Sequence, residues 1–353
     1  GTLPLPIEIQ HSSGNGVWSS VQSVTVPPNS SHWEVLNPIP GDWIRLMAGA
    51  TSPDVTATFL LANPYPHMTP ASAGTSRFAA LADIRDDRAM TDGLIRVMAG
   101  TDLKLEFASR ATSSGGSSTT GYHQIDARMK LEPVANATLE TSVRTNAATL
   151  QDFGNDAASA WVTVAGGKLR LPKTDPLYDT PFASGWARGF REAVTERVLL
   201  NCHGTFYEVP RTNSGGVRKL QPICTHEKRI TDFASWRGLL ALTGVLDSAP
   251  ASDSLVRSTD GTGALWLGEI DDLWKMGEPR GIGGPWWNTA VSANTTSDPY
   301  LMYGYREKSL KLSHQSSSPV TFTIELDFLA DNTWSTYRSF TVQPGETFTH
   351  LFP

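Results

Sequence analysis

DWIRLMAG, residues 42–49, returns as GLIRVMAG, residues 93–100, after 51 positions, with five of eight residues identical. A short apolar run closed by Met-Ala-Gly reads as a β-strand and its turn. A 51-residue unit of short strands is the size of one four-stranded propeller blade, and 353 residues hold close to seven of them. A second echo joins the two ends. WSSVQSVTVPP (Trp18–Pro28) resembles WSTYRSFTVQP (Trp334–Pro344), and each follows a short strand holding Ile7-Glu8 or Ile324-Glu325. Wheel closure sets the first and last blades side by side, which suits related ends. A third, weaker echo pairs GGKLRLP (Gly166–Pro172) with HGTFYEVP (His203–Pro210). The expectation is an all-β, seven-bladed β-propeller, one domain over residues 1–353, closed by the N- and C-terminal strands. A β-sandwich pair or a solenoid is the competing source of strand repeats.

Composition agrees with a turn-rich β chain. Charged residues are 18%, with 30 Gly, 23 Pro and 11 Trp, and that balance favours strands and turns over helices. Ser113–Thr120 (SSGGSSTT) reads as a flexible surface loop. Before residue 180 the sequence predicts no long helix, and a short one is expected around Phe190–Arg197. The net charge of −6 gives no general attraction to nucleic acid or anionic membrane. No apolar run is long enough to span a bilayer. The chain starts at Gly1 and not Met, as a processed or trimmed polypeptide does.

Functional side chains concentrate from Gly185 onward. Both cysteines lie in ERVLLNCHGTFYEVPRTNSGGVRKLQPICTHEKRITDFASWRGLLALTG, residues 196–244. Cys202 and Cys224 flank the Asn213–Gly216 turn, so they read either as cross-strand neighbours in a disulfide or as two buried thiols. Carboxylates, arginines and flat aromatic rings together suit sugar chemistry, because rings stack on pyranose faces and charged groups fix hydroxyls. Hydrolysis needs two carboxyl groups across the scissile bond; Asp271, Asp272, Glu269, Glu208 and Glu192 are the candidates, with Glu208, Asp271 and Asp272 preferred. Elimination at a uronate needs a base and a cation. His203 and Tyr207 offer the first, and Arg237 the second. Arg191, His226, Arg237, Trp236, Trp274, Trp286 and Tyr300 are candidate substrate-binding residues. The competing readings are acidic caps for Asp271 and Asp272 and core packing for the tryptophans. A metal ion on Cys202-His203 and Cys224-x-His226 is a third option, although the spacing matches no zinc motif. No nucleotide-binding loop, GxSxG elbow or HExxH occurs, and no cofactor is expected.

Three strings, ERVLLNCHGTFYEVPR (196–211), CTHEKRITDFASWRGLL (224–240) and EIDDLWKMGEPRGIGGPW (269–286), resemble a group of large, mostly uncharacterised bacterial proteins associated with secreted polysaccharide breakdown. The resemblance implies a propeller-like fold and a secreted, periplasmic or cell-surface protein with an oligo- or polysaccharide partner. The functional expectation is a glycoside hydrolase working at the propeller mouth. The alternatives are a polysaccharide lyase and a non-catalytic carbohydrate-binding or structural module.

Overall fold

In the computed structural model of the chain, strand takes 45% of residues and helix 9%, an all-β protein. The structure describes residues 2–14, 16–30, 32, 34, 36, 43–53, 55–57, 59, 76–98, 104–146, 153–164, 167–180, 188–194 and 197–352, with the backbone alone at 146, 188–194 and 197. The expected single domain over residues 1–353 is replaced by two compact units. One combines Gly1–Pro64 with Glu307–Pro353, and the other is Tyr65–Arg306.

The first unit opens with β1 (Leu5–Ser12), β2 (Ser19–Val26) and β3 (Trp43–Ala48). Both β2 and β3 pair antiparallel with β1, which is the central strand of the sheet. Pro27 and Pro28 end β2, since proline has no N–H to offer a ladder.

The second unit holds four antiparallel sheets among the described residues. The first contains β4 (Met90–Val97), β5 (Leu105–Ser113), β6 (Gly116–Ile125) and β7 (Leu131–Pro133). Helix α1 (Ala137–Asn146) follows. The second sheet is β8 (Phe153–Asn155), β9 (Ala160–Val164) and β10 (Gly167–Leu171). The third is β11 (Arg188–Val194), β12 (Arg197–Cys202), β13 (Thr205–Val209) and β14 (Gln221–Thr225), in that order across the sheet. The fourth uses β15 (Phe233–Trp236) and β16 (Leu239–Leu242); β17 (Val245–Leu246) leaves to join β4, and β18 (Leu255–Arg257) and β19 (Ala264–Gly268) return to β16.

Shared apolar clusters stack these sheets face to face. Leu169 and Leu171 of the second sheet meet Leu200, Tyr207 and Val209 of the third. On the other face of the third sheet, Leu199 and Phe206 meet Phe233, Leu240, Leu242 and Trp266 of the fourth. The opposite face of the fourth gives Trp236, Ala241 and Leu265 to Ile95, Leu105, Phe107 and Ile125 of the first. α1 covers the far face of the first sheet through Val143. A strand covered on both faces cannot alternate apolar with polar. That is why β16 reads Leu-Leu-Ala-Leu and β19 Ala-Leu-Trp-Leu-Gly, with every residue of β19 buried.

Several sequence expectations change here. The 51-residue echo does not mark a blade. Its first copy is β3, paired among the described residues with β1 alone, and its second is β4, an interior strand between β5 and β17 in the other unit. Ser113–Thr120 is a hairpin and not a loop: Ser113 faces Gly116 across a two-residue turn, and the ladder runs on from Ser117 to Thr119. Residues 190–194 belong to β11 and Arg197 opens β12, so the described part of the expected helix is strand. The helix lies instead at α1, where the Asn136 side chain accepts the Leu139 N–H (2.9 Å) and Glu140 pairs with Arg144 (2.7 Å).

The cysteines are free. The Asn213–Gly216 turn joins β13 to β14, so β13 lies between Cys202 and Cys224. Two strand spacings are about 9–10 Å, beyond the ~7 Å Cα limit of a disulfide. The thiols also face opposite clusters.

The chain ends in the first unit with β20 (Ser309–Ser313), β21 (Val320–Leu326), β22 (Ser335–Val342) and β23 (Thr347–Leu351). β20 pairs with β23 and β21 with β22. The end-to-end echo is structural. Leu5 faces Val26 as Val320 faces Val342, and each ladder carries its register shift four residues later, between Ile9 and Gln10 or between Ile324 and Glu325. The true equivalents are therefore Ile9-Gln10 and Ile324-Glu325, two positions on from the Ile7-Glu8 match read from sequence. Asn29 and Gly345, three residues after these valines, both take positive φ (50° and 76°) to turn the chain. Both ends thus meet in one unit, in separate sheets.

Candidate functional site

β12 and β13 are joined by His203-Gly204, with φ of 52° and 75°. Two residues of positive φ make the tight hairpin turn whose twist matches the strands. Gly204 is required twice over, because a Cβ there would stand 2.5 Å from the Tyr178 ring. Arg237-Gly238 repeats the device between β15 and β16, with φ of 53° and 81°.

The His203 tip is covered by the segment before β11. Asp175 caps a 3-10 turn, Pro176–Asp179, by accepting the Leu177 N–H. Tyr178 is fully buried and donates to the Lys228 carbonyl (2.7 Å). His203 Nδ1 accepts the Thr174 N–H (2.9 Å), so Nε2 carries the proton and donates to Asp179 Oδ1 (2.9 Å). Burial lowers the pKa of His203, against the pull of Asp179. Burial works to raise the Asp179 carboxyl, but hydrogen bonds from His203 and Lys173 outweigh it and hold it below the usual range. His226 is settled in the same way. Nδ1 accepts the Lys228 N–H (2.9 Å), Nε2 donates to Asn201 Oδ1 (3.0 Å), and burial lowers its pKa to about 3. The Tyr178 ring touches both imidazoles, at 5.6 and 6.4 Å between centroids.

Ion pairs rim this buried cluster. Lys228 meets Asp83 (2.6 Å), Arg85 meets Asp175 (2.6 Å), Arg280 meets Glu227 (2.6 Å) and Lys173 meets Asp179 (2.7 Å). In the Arg280–Glu227 pair the arginine is exposed and the glutamate half-buried.

Residues 277–306 form a strap with no strand or helix, a length that is uncommon unless functional. The strap is tied to the third sheet where Thr225 Oγ1 bonds the Arg280 backbone, and to the segment after β10 by the Lys173–Ile282 bridge. Arg170 holds its far end, bridging to Tyr300 through backbone and to Asp298 and Asp156 through its guanidinium (2.8 and 2.9 Å). Gly283 must be glycine, since a Cβ would sit 2.5 Å from the Ala158 carbonyl at φ +151°. With its backbone pinned, the strap turns Ile282, Trp287 (57% exposed), Val291 and Tyr303 outward.

The residues singled out in sequence fall into separate groups. His203 and His226 lie together beside Tyr178. Tyr207 is fully buried under the strap, its hydroxyl 3.5 Å from that of Tyr305, and burial pushes its phenol well above the ordinary value. Tyr300 is half-buried in the strap, and burial raises its phenol too. Trp286 is half-buried beside the exposed Trp287. Glu208 is half-buried and accepts from Gln221 (3.4 Å).

Asp272 serves a different purpose. It is fully buried, pairs with Arg77 (2.8 Å) and Lys275 (3.0 Å), and closes a capping box with Glu269 on the 3-10 turn Ile270–Lys275. Asp271 is exposed on the same turn, and Trp274 packs on the core beneath it. Trp236 is core in the fourth sheet, and Arg237 is exposed at its turn, its guanidinium 5.5 Å from the Trp236 ring. Arg191 lies on β11, where the backbone alone is described. Each group keeps its own partners: His203 bonds Thr174 and Asp179, Tyr207 meets Tyr305, and Asp272 pairs with Arg77 and Lys275.

Sequence reasoning missed Asp179, Lys173, Lys228, Asp83 and Arg85. Thr174-Asp175-Pro176 carries the usual signal of a capped turn, and it marks the segment that buries His203. The reading also missed Ser109, His123 and Asp260. His123 Nδ1 lies 3.3 Å from Ser109 Oγ and Nε2 lies 3.4 Å from Asp260 Oδ1. The serine end is fully buried and the aspartate end open, the reverse of what a nucleophile needs. A shallow hollow of about 350 Å³ at the β5–β6 tip, lined by Ala89, Thr112, Ser113 and Ser117, has no titratable side chain in its wall.

What the strap region offers chemically is a surface: outward rings and aliphatic groups above a rim of paired charges. No protein family, curated protein or solved structure matches this chain.

Proposed function

We propose that the second unit is a carbohydrate-binding module and that the glycan lies on the strap around Trp287. The observation that carries this is the contrast between two sets of groups. His203, Tyr207, His226 and Asp272 are buried with hydrogen-bond partners, whereas Ile282, Trp287 and Tyr303 stand exposed on a backbone held by bridges. An indole stacked on a pyranose needs only exposure and rigidity, and the Arg280–Glu227 pair supplies donors and acceptors for hydroxyls. The hydrolase reading rests on Glu208 and Asp271, the preferred acids that reach solvent. A glycan ligand suits a secreted, periplasmic or cell-surface protein. In architecture we read the second unit as an open, propeller-like stack of four blades. The expected seven would need three more sheets on the same axis.

The test is titration of the full chain with neutral and acidic oligosaccharides, alongside Trp287→Ala. Binding that weakens roughly tenfold or more in the variant with unchanged Tm is expected, since an exposed ring carries little fold stability. Failure of every glycan to bind, or equal binding by the variant, would overturn the reading. Release of reducing ends would restore hydrolysis, and an unsaturated uronate product would restore elimination.

A further inference from the structure

Among the described residues, the repeat inside the first unit is incomplete on one side. β1 carries β2 on one edge and β3 on the other, whereas β21, its equivalent, carries β22 alone among the described residues. A free edge is a row of unpaired N–H and C=O groups, normally blunted by lysine, proline or a short strand. β21 reads Val-Thr-Phe-Thr-Ile-Glu-Leu over seven residues, with no lysine, no proline and one charge.

That charge has a counterpart in the complete half. Arg45 of β3 faces Gln10 of β1, donates to its Oε1 (2.7 Å) and lies over the Trp18 ring at 4.1 Å. The matched registers put Glu325 where Gln10 stands and Trp334 where Trp18 stands. Glu325 is exposed and Trp334 is 41% exposed. Both halves of an arginine seat are therefore repeated, with a carboxylate in place of the amide, and a carboxylate binds a guanidinium more strongly.

We propose that the free edge of β21 is a docking site for an antiparallel strand of the β3 pattern, aromatic-aliphatic-Arg-aliphatic, whose arginine is received by Glu325 and Trp334. Main-chain pairing along β21 gives the affinity and the arginine fixes the register. The occupant is an extended peptide segment supplied to this edge, and not the β21 edge of a second copy, because β21 has no arginine to fill the seat at Glu325 and Trp334.

The probe is a labelled peptide, GDWIRLMAGA, titrated into the full chain while backbone hydrogen exchange is followed. Saturable binding with slowed exchange at residues 320–326, and unchanged exchange at residues 5–12, is expected. Glu325→Lys should weaken binding roughly tenfold or more, and a peptide with glutamate in place of the arginine should not bind. Three results would overturn the proposal. They are protection of β1 in place of β21, equal affinity in Glu325→Lys, and a dimer formed through β21 that the peptide does not displace.

Discussion

His226 makes the fold acid-sensitive in a window that carboxylates do not share. In the unfolded chain its pKa returns to the ordinary 6.5, while burial holds the folded value at about 3. The native state then binds fewer protons than the unfolded state between these values, so stability rises with pH. The full contribution is present above pH 6.5 and is lost progressively as pH falls toward 3. From linkage the loss is about 2 kcal/mol at pH 5 and about 3 kcal/mol at pH 4. The lowered aspartates, Asp156 and Asp179 among them, start from an unfolded value near 3.8 and act mainly below pH 5. His203, also lowered, adds to the slope with the same sign. Urea unfolding at pH 8, 6 and 5 should therefore show falling stability, and His226→Asn should remove about 2 kcal/mol of that fall, leaving the His203 part. Asparagine keeps an acceptor for the Lys228 N–H, and its packing loss lowers stability equally at every pH. The same fall between pH 8 and 5 in variant and wild type would refute the claim that His226 is held neutral by burial.

Other outcomes follow from single contacts. Gly204→Ala puts a Cβ against the Tyr178 ring at positive φ, and denaturant unfolding should show a loss of about 2–4 kcal/mol. Asp272→Ala removes the buried carboxylate that the half-exposed Arg77 and Lys275 pair with and opens the Glu269 cap, which should cost about 1–2 kcal/mol in the same assay. Burial pushes the Cys202 thiol up to about 12 and raises the Cys224 thiol as well. Neither should react with a thiol reagent at pH 8 until the chain unfolds, when mass spectrometry should count two adducts.

The parts of the fold that sequence conveyed are those fixed by neighbours a few residues away. Strand character, the Asn213–Gly216 turn and the related ends were legible, because each depends on a short run of neighbouring residues; the turns at His203-Gly204 and Arg237-Gly238 were read as strand and emerged only with the structure. The 51-residue echo misled because Ile-Arg-x-Met-Ala-Gly specifies a strand and its exit and carries no record of what pairs beside it. Thus β3 and β4 share a sequence and differ in place. Ser113–Thr120 has a loop's composition, yet its register is imposed by β5, which β4 already pins from the other side. α1 escaped notice because, among its described side chains, Val143 alone is buried, too little to leave a helical stripe.

The site was harder to read for a reason that lies in the stacking. Titratable groups at strand ends attract attention because a hairpin tip ordinarily projects into solvent. In this chain two distant segments cover the tips of the third sheet, the 3-10 turn at 176–179 and the strap at 277–306. Each converts an apparent catalytic group into a buried one: Asp179 and Thr174 consume both nitrogens of His203, and Tyr305 meets the hydroxyl of Tyr207. The covering segments themselves are where exposure survives, because an irregular backbone pinned at a few points cannot bury both of its sides. Trp287 and Ile282 are outside because Gly283 and Gly284 are drawn in against the Ala158 carbonyl. The glycines of Gly281–Pro285, which look like a mere turn in the sequence, are therefore what set the orientation of the surface assigned to the ligand.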